Sequence, residues 1–323
     1  MKAIVYRRYG SPDVLQYEDV DKPTAGDDQV LIRVRAASVN PLDWHFIRGT
    51  PYILRIQAGL RKPKATQRPG VDVAGEIGAV GRNVTQFKPG NEVFGSCRGA
   101  FAEYVCTSAS ALIMKPDNVT FEQAASVPVA AYTALQGLRD KGQLQSGQKV
   151  LINGAAGGVG TFAVQIAKAF GADVTGVCST RNVDLVRSIG ADRVIDYVQE
   201  DFTKSERRYD VILDSIGNHP LLACRRVLNP KGIYIMVGGP NGRWIGPLAR
   251  AIKMLALSYF VSQTMVVFIS KRSQQDLATM CELLETGKVI PVIDKRYQLS
   301  EVSEAVRYLE QGHARGKIVI MVE

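Results

Sequence analysis

Val150-Leu151-Ile152-Asn153-Gly154-Ala155-Ala156-Gly157-Gly158-Val159-Gly160 is the stretch that decides the fold of this chain. The apolar run Val150 to Ile152 reads as a buried parallel strand, and a glycine-dense turn follows it. Thr161 to Phe170, with Phe162, Val164, Ile166 and Ala167 on its apolar side, reads as the next helix. Gly154, Gly157 and Gly160 fall three residues apart. The first permits a tight turn, and the second lets backbone amides approach a pyrophosphate with no Cβ in the way. The third lets the helix pack close to the strand. Such an anion rests on the helix N-terminus, where unpaired N–H groups and the helix dipole favour negative charge. A triplet placed between strand and helix predicts a dinucleotide site, with Ala156, Gly157, Gly158, Val159 and Gly160 at the phosphates.

The following strand, Ala172 to Cys178, points to the kind of dinucleotide. An NAD site usually places Asp or Glu at its end to bind the ribose hydroxyls. Here the chain reads Ser179-Thr180-Arg181-Asn182, with Asp184 falling in the next helix. Two hydroxyls that donate hydrogen bonds and one guanidinium suit a 2′-phosphate, so NADPH is the expected cofactor.

A chain of 323 residues is long enough for two domains, and 46% apolar with 22% charged residues is an ordinary globular balance. The net charge of +9 raises the question of nucleic acid, yet Lys and Arg are scattered and no aromatic-interleaved basic motif occurs. A modest positive balance also attracts an anionic cofactor. Cys97, Cys106, Cys178, Cys224 and Cys281 are widely spaced and form no C-x-x-C, which favours reduced thiols in a cytoplasmic protein. The N-terminus begins directly as a strand, without a signal peptide's apolar region. Ile245 to Ile269 is apolar, but Arg250, Lys253, Ser258, Ser262 and Gln263 interrupt it, so no membrane span is expected. A buried helix followed by a strand at Met265–Ile269 is the main reading, with peripheral membrane contact as the alternative.

Along the chain the first third is strand-rich, with Val30, Ile32 and Val34 alternating against Leu31, Arg33 and Arg35. Glycine turns at short spacing predict a small β-barrel-like domain. A helix start at Phe121, capped by Thr120 with Gln123 at its third position, marks the change of character. Strands are then expected at 149–153, 173–178, 193–196, 210–214, 232–237 and 265–269, alternating with helices. That is the pattern of an α/β doubly wound six-stranded parallel sheet. After Ser270, a helix (Ser273–Thr286), a strand (Val289–Ile293), a helix (Ser300–Gly312) and a strand (Lys317–Val322) have no place in such a sheet and are expected to return to the first domain. Arg315-Gly316-Lys317 reads as a solvated turn, with reach to a cofactor phosphate as the alternative.

In this order the chain resembles the medium-chain dehydrogenase/reductase superfamily, and within it the zinc-free quinone oxidoreductase and alkenal reductase branch. The resemblance runs end to end. It is carried by Ser38-Val39-Asn40-Pro41-Leu42-Asp43-Trp44, Gly70-Val71-Asp72-Val73-Ala74-Gly75, Lys88-Pro89-Gly90-Asn91-Glu92-Val93, Ala124-Ala125-Ser126-Val127-Pro128, the glycine turn, and Gly190-Ala191-Asp192-Arg193-Val194-Ile195-Asp196-Tyr197. It implies a GroES-like β-barrel catalytic domain (1–123 and 271–323) around an inserted Rossmann domain (124–270), and a homodimer. Zinc-dependent relatives place a Cys near the 40s and a His-Glu pair at the Gly-x-x segment. This chain has Asn40-Pro41-Leu42-Asp43 and Gly70-Val71-Asp72 there, so no metal is expected. Asp43, Asp72 and His45 offer an alternative ligand set, poor in the thiolate and imidazole that zinc favours.

The resemblance further implies a nicotinamide pocket lined by Asn40 and Tyr52, either of which can polarise a substrate carbonyl, with Tyr52 or water protonating the enolate. The cofactor contacts carried over by position are Thr133, Tyr197, Gly217, Asn218, Gly238, Val267 and Phe268. Hydride transfer to α,β-unsaturated carbonyls or quinones is the implied reaction. The alternatives are an enoyl-thioester reductase and a non-enzymatic, membrane-associated NADPH-binding protein of the same fold. Basic residues in 44–68 (Arg48, Arg55, Arg61, Lys62, Lys64) suggest a mobile lid.

Overall fold

The computed structural model describes residues 1–64, 68–237, 254 and 262–322. The chain divides into two units, one of residues 1–130, 272–287 and 291–323, the other of residues 131–271 and 288–290.

In the first unit β1 (Lys2–Val5) and β2 (Gln16–Asp19) form an antiparallel pair. β3 (Gln29–Val39) is the axis of the main sheet, joined by β4 (Asp72–Val80), β5 (Glu92–Ser96), β6 (Tyr104–Ser108) and β7 (Leu112–Met114). The order β3-β4-β5-β7 runs away on one side, and β6 pairs with β3. In the first half of β3 Val30, Ile32 and Val34 are inside and Arg33 outside as the alternation suggests, but Leu31, expected on the outer face with Arg33, is buried as well. From Ala36 to Val39 both faces are buried, and the C-terminal strand Lys317–Met321 pairs along the edge of this half. Small side chains at Ala36, Ala37 and Ser38 suit that crowding.

The second unit is a six-stranded parallel sheet. Its strands are β8 (Lys149–Asn153), β9 (Asp173–Cys178), β10 (Arg193–Asp196), β11 (Tyr209–Asp214), β12 (Leu228–Met236) and β13 (Thr264–Val267), in the order β10-β9-β8-β11-β12-β13. Val150, Leu151 and Ile152 have no exposed surface, nor have Ile212, Leu213, Tyr234 and Ile235. The helix Gly158–Ala169 buries Phe162, Val164 and Ile166. Parallel strands covered on both faces need such unbroken apolar runs. The strand expected at 265–269 stops at Val267, and the segment 245–253 and 255–261 lies outside the described residues. Among the described residues no helix is long and apolar enough to cross a membrane.

The chain then rejoins the first sheet with β14 (Ile293–Gln298), parallel to β15 (Lys317–Met321), which is antiparallel to β3. The helix Val302–Glu310 places Val302, Ala305 and Val306 in the same core as Ile318 and Ile320. The strand expected at Val289–Ile293 begins only at Ile293. Pro291 has no N–H to give a ladder, and Ile290 belongs to the second unit. There its N–H donates to Gln165 Oε1 (2.8 Å) and its carbonyl accepts from Gln165 Nε2 (3.0 Å).

Candidate active site

In the second unit, register brings the carboxyl ends of the strands to one edge. Asn153 of β8 lies beside Val177 of β9 and Asp214 of β11; Asp214 lies beside Met236, and Met236 beside Val267. Strand order reverses between β8 and β11, and the crevice at such a reversal is where doubly wound sheets bind ligands.

The glycine turn opens onto this edge. Gly154 has φ +87°, a conformation that side chains disfavour. A Cβ on Gly160 would stand 2.0 Å from the Gly154 carbonyl oxygen, so the helix approaches the strand as closely as its backbone allows. Gly157 differs: a Cβ there would meet nothing nearer than that oxygen at 3.4 Å, leaving open space in front of the turn. Gly157 is also the N-cap of the twelve-residue helix and brings no side-chain cap to it. The first helical amides, from Gly158 and Val159 onward, therefore lack intrahelical acceptors. A cradle of amides, open where a side chain would fill it, fits a pyrophosphate.

Beside it, Asp214 holds the loop that follows β11. Its Oδ1 accepts from the amides of Ile216 (2.9 Å) and Gly217 (2.8 Å) and from Asn153 Nδ2 (2.9 Å); its Oδ2 accepts from the Tyr234 hydroxyl (2.5 Å). Asn153 Nδ2 also reaches Asn218 Oδ1 at 3.1 Å. Gly217 and Asn218, two expected cofactor contacts, are thus fixed by a carboxylate with no exposed surface. The sequence carried a signal for it: an acid ending an apolar strand, Val211-Ile212-Leu213-Asp214.

At the far end of the edge, Tyr197 donates its amide to Cys178 O (3.0 Å), which brings it beside Ser179, Thr180 and Arg181. Tyr197 is 55% exposed. Ser179 Oγ accepts from Asn182 Nδ2 at 3.2 Å. Thr180 differs from expectation. Its hydroxyl proton is directed at Asp196 Oδ2 (2.6 Å) instead of outward, because Asp196 ends β10 alongside. Val267 and the following Phe268 sit at the end of β13, and the Phe268 ring lies near the Gly137 backbone. Thr133 Oγ1 is 2.9 Å from Ser270 Oγ. Gly238 lies outside the described residues.

The first unit contains a buried polar cluster. Asn40, 2% exposed, caps the helix Pro41–Arg48. Its Oδ1 accepts from Lys317 Nζ at 2.6 Å, while its Nδ2 donates to Asp72 Oδ2 (2.8 Å) and lies 3.4 Å from Ser38 O. Asp72 further accepts from Ser38 Oγ (2.9 Å) and from the Val129 amide (3.1 Å). The Asn40 amide, expected to polarise a substrate carbonyl, is thus directed into the protein on both sides. Lys317, expected both to end a solvated turn and to head the closing strand, is 3% exposed, because β15 carries it between β14 and β3. Burial lowers its pKa, and Asp72 and Asp43 oppose that shift. The signals were present in the sequence: a lysine heading Ile318-Val319-Ile320, and an acid inside Val71-Asp72-Val73-Ala74.

Asp43 accepts from the amides of Asn40 (2.8 Å) and Gly70 (3.0 Å). Burial nonetheless pushes its pKa up to about 7, against 3.8 for an unperturbed aspartate, and nearby Asp72 adds to the rise. The folded chain then holds a proton that the unfolded chain releases between those values. This contribution to stability is complete below the unfolded pKa and is lost as pH rises to about 7. Asp43→Asn, an isostere of the neutral acid, removes this dependence. Between about pH 5 and about pH 7.5 the wild-type urea midpoint is expected to fall relative to that of the variant. Parallel pH profiles would contradict the assignment.

Tyr52 is half-buried, with the Arg55 guanidinium 4.6 Å from its ring centre. Arg55 also donates to Gly49 O (2.9 Å), and Arg48 pairs with Glu310 (2.6 Å). His45 turns Nδ1 to Thr50 O (2.7 Å) and stacks on Trp44.

A family model described as the alcohol dehydrogenase GroES-like domain matches residues 26–117, and one described as a zinc-binding dehydrogenase matches residues 189–320. The residues here do not fit a zinc ion. Among the described residues no three His, Cys, Asp or Glu side chains gather as a metal site, and the Lys317 ammonium already stands 3.5 Å from Asp72 Oδ2. The 2-methylene-furan-3-one reductase of Solanum lycopersicum is 35% identical over 99% of this chain and 79% of its own. The chloroplastic NADPH-dependent alkenal/one oxidoreductase of Arabidopsis thaliana is also 35% identical, with the same coverage of 99% and 79%. The solved quinone oxidoreductase of Coxiella burnetii superposes with a TM-score of 0.87 at 31% identity, over 100% of this chain and 99% of its own. A Rossmann sheet and a GroES-like domain in one chain, with relatives of this identity along its whole length, place it in a family: the chain belongs to the medium-chain dehydrogenase/reductases, as an enzyme of their zinc-free quinone oxidoreductase and alkenal reductase branch.

Proposed function

We propose that the enzyme is an NADPH-dependent reductase of α,β-unsaturated carbonyls or quinones, working without zinc. One observation carries this reading: the uncapped helix N-terminus behind the open Gly157 turn, at the strand-order reversal of the second unit. The names of the relatives point to the same chemistry, since one is an NADPH-dependent alkenal/one oxidoreductase and another a quinone oxidoreductase. When bound, NADPH supplies a hydride from its nicotinamide. The protein's part is to bind and orient, to stabilise the developing oxyanion and to deliver a proton.

Of the two residues considered for chemistry, Tyr52 is the proton donor in this reading. Asn40 is a positioning residue, its amide fixed by Lys317 and Asp72. Thr133, Val267 and Phe268 serve the nicotinamide end; Ser179, Arg181 and Tyr197 serve the adenosine end. The enzyme functions as a homodimer, as its resemblance to the family implies.

The reading is tested by adding an enone or an ortho-quinone to enzyme and NADPH and following NADPH loss, with NADH as comparator. Turnover with NADPH as the better donor is expected. Absence of turnover across a broad enone and quinone panel, despite tight NADPH binding, would contradict it. Arg181→Glu places a carboxylate against the 2′-phosphate and is expected to raise the NADPH KM far more than the NADH KM, by tenfold or more, a loss of about 1.4 kcal/mol. Equal changes for the two cofactors would remove Arg181 from phosphate recognition.

A further inference from the structure

Asp196 closes β10 at the adenosine end of the proposed cofactor edge and is 9% exposed. Its Oδ2 accepts from Thr180 Oγ1 (2.6 Å) and Gln199 Nε2 (3.0 Å), and its Oδ1 accepts from the Val198 amide (3.0 Å). These bonds, the one from Thr180 foremost, hold its carboxyl below its ordinary pKa. It is therefore a fixed anion at neutral pH.

A threonine hydroxyl has one proton and two lone pairs. Because the proton of Thr180 is spent on Asp196, the exposed oxygen presents lone pairs to whatever binds in front of it. A phosphate dianion has no proton to give to such an acceptor and is also repelled by Asp196 behind it. A ribose 2′-hydroxyl has a proton to give and suits it. Arg181, next in the chain, has the opposite preference.

We infer that the Thr180–Asp196 pair is a specificity-determining element that recognises the 2′-hydroxyl of NADH, set against Arg181, which recognises the 2′-phosphate. The pair keeps NADH usable in a site otherwise built for NADPH. A carboxylate that NAD sites usually carry at the end of the second strand thus acts here from the end of the third, relayed through a hydroxyl. The inference rests on the dinucleotide reading of this edge.

The test is cofactor titration, by fluorescence, of the purified enzyme and its Thr180→Val, Thr180→Ser and Asp196→Asn variants, with NADPH and NADH in parallel. Thr180→Val removes one hydrogen bond from an exposed turn, and its NADH Kd is expected to rise five- to tenfold, with NADPH within twofold of wild type. Asp196→Asn, which removes the charge and keeps an acceptor for the neighbouring amides, is expected to shift the ratio the same way by tightening NADPH. Thr180→Ser restores the wild-type ratio. An NADPH Kd that rises as much as that of NADH in Thr180→Val, or no change in either, overturns the inference and leaves the dinucleotide site standing. Wild-type enzyme that binds neither cofactor overturns both readings.

Discussion

Lys317→Met is expected to lower the unfolding free energy by about 3 kcal/mol, the lower end of the range for breaking one side of a buried ion pair. The side chain is 3% exposed and is the ammonium within 3.5 Å of Asp72, whose carboxylate has no exposed surface. Methionine fills much the same volume, so the loss is electrostatic. Ser38, Asn40 and the Val129 amide still donate to Asp72, which keeps the cost from reaching the upper end. Removing the charge on both sides, in Lys317→Met with Asp72→Asn, is expected to recover a large part of the loss, as replacement of both partners usually does. Urea midpoints of the two single variants and the double variant check this. Strict additivity of the single losses would show that the two groups do not act as a pair.

Gly160→Val has the second large effect, on binding as well as stability. The added Cβ would meet the Gly154 oxygen at 2.0 Å and Ala155 backbone atoms at 2.8 Å, and backbone cannot step aside as a flexible side chain does. The turn must open, which misaims the amides proposed to hold the pyrophosphate. Losing two charge-assisted hydrogen bonds at roughly 1.5 kcal/mol each weakens NADPH by about 100-fold. Gly157→Ala separates the two consequences. Its φ of −82° and ψ of 176° suit alanine, and its Cβ meets no protein atom nearer than 3.4 Å. The variant is expected to melt within about 2 °C of wild type while binding NADPH more weakly, because the methyl occupies the open cradle. Unchanged NADPH affinity in Gly157→Ala would show that no pyrophosphate approaches there.

The glycine turn was legible in the sequence because its requirement is local: positive φ at Gly154 and close backbone approach at Gly160 exclude a side chain, and Gly157 leaves space that the fold itself does not need. The parallel strands were legible for a similar reason, since burial on both faces leaves apolar runs such as Val150 to Ile152. β14 was not. Its Lys295 and Arg296 are exposed on an edge strand, so no apolar run marks it, and the apolar residues around Pro291 predict the strand too early. The strand starting at Lys317 was legible, but its burial was not, because Arg315-Gly316-Lys317 has the composition of a loop and only the pairing of β15 with its neighbours carries the lysine inside. Thr180 and Asn40 show a different limit. The residue types matched the expected chemistry, but the direction of a hydroxyl proton or an amide depends on partners sixteen residues away in one case and 277 in the other. Hydrogen-bond direction is a property of the assembled fold, and spacing along the chain does not encode it.

In the proposed reaction hydride passes from NADPH to an electrophilic carbon of an enone or quinone. The most direct measurement uses NADPH deuterated at the nicotinamide C4 position, an enone substrate and NMR of the product. Deuterium on the carbon β to the carbonyl, with the solvent proton on the α carbon, is the predicted result. Deuterium on the carbonyl carbon, giving an allylic alcohol, would contradict it and return the enzyme to alcohol dehydrogenase chemistry.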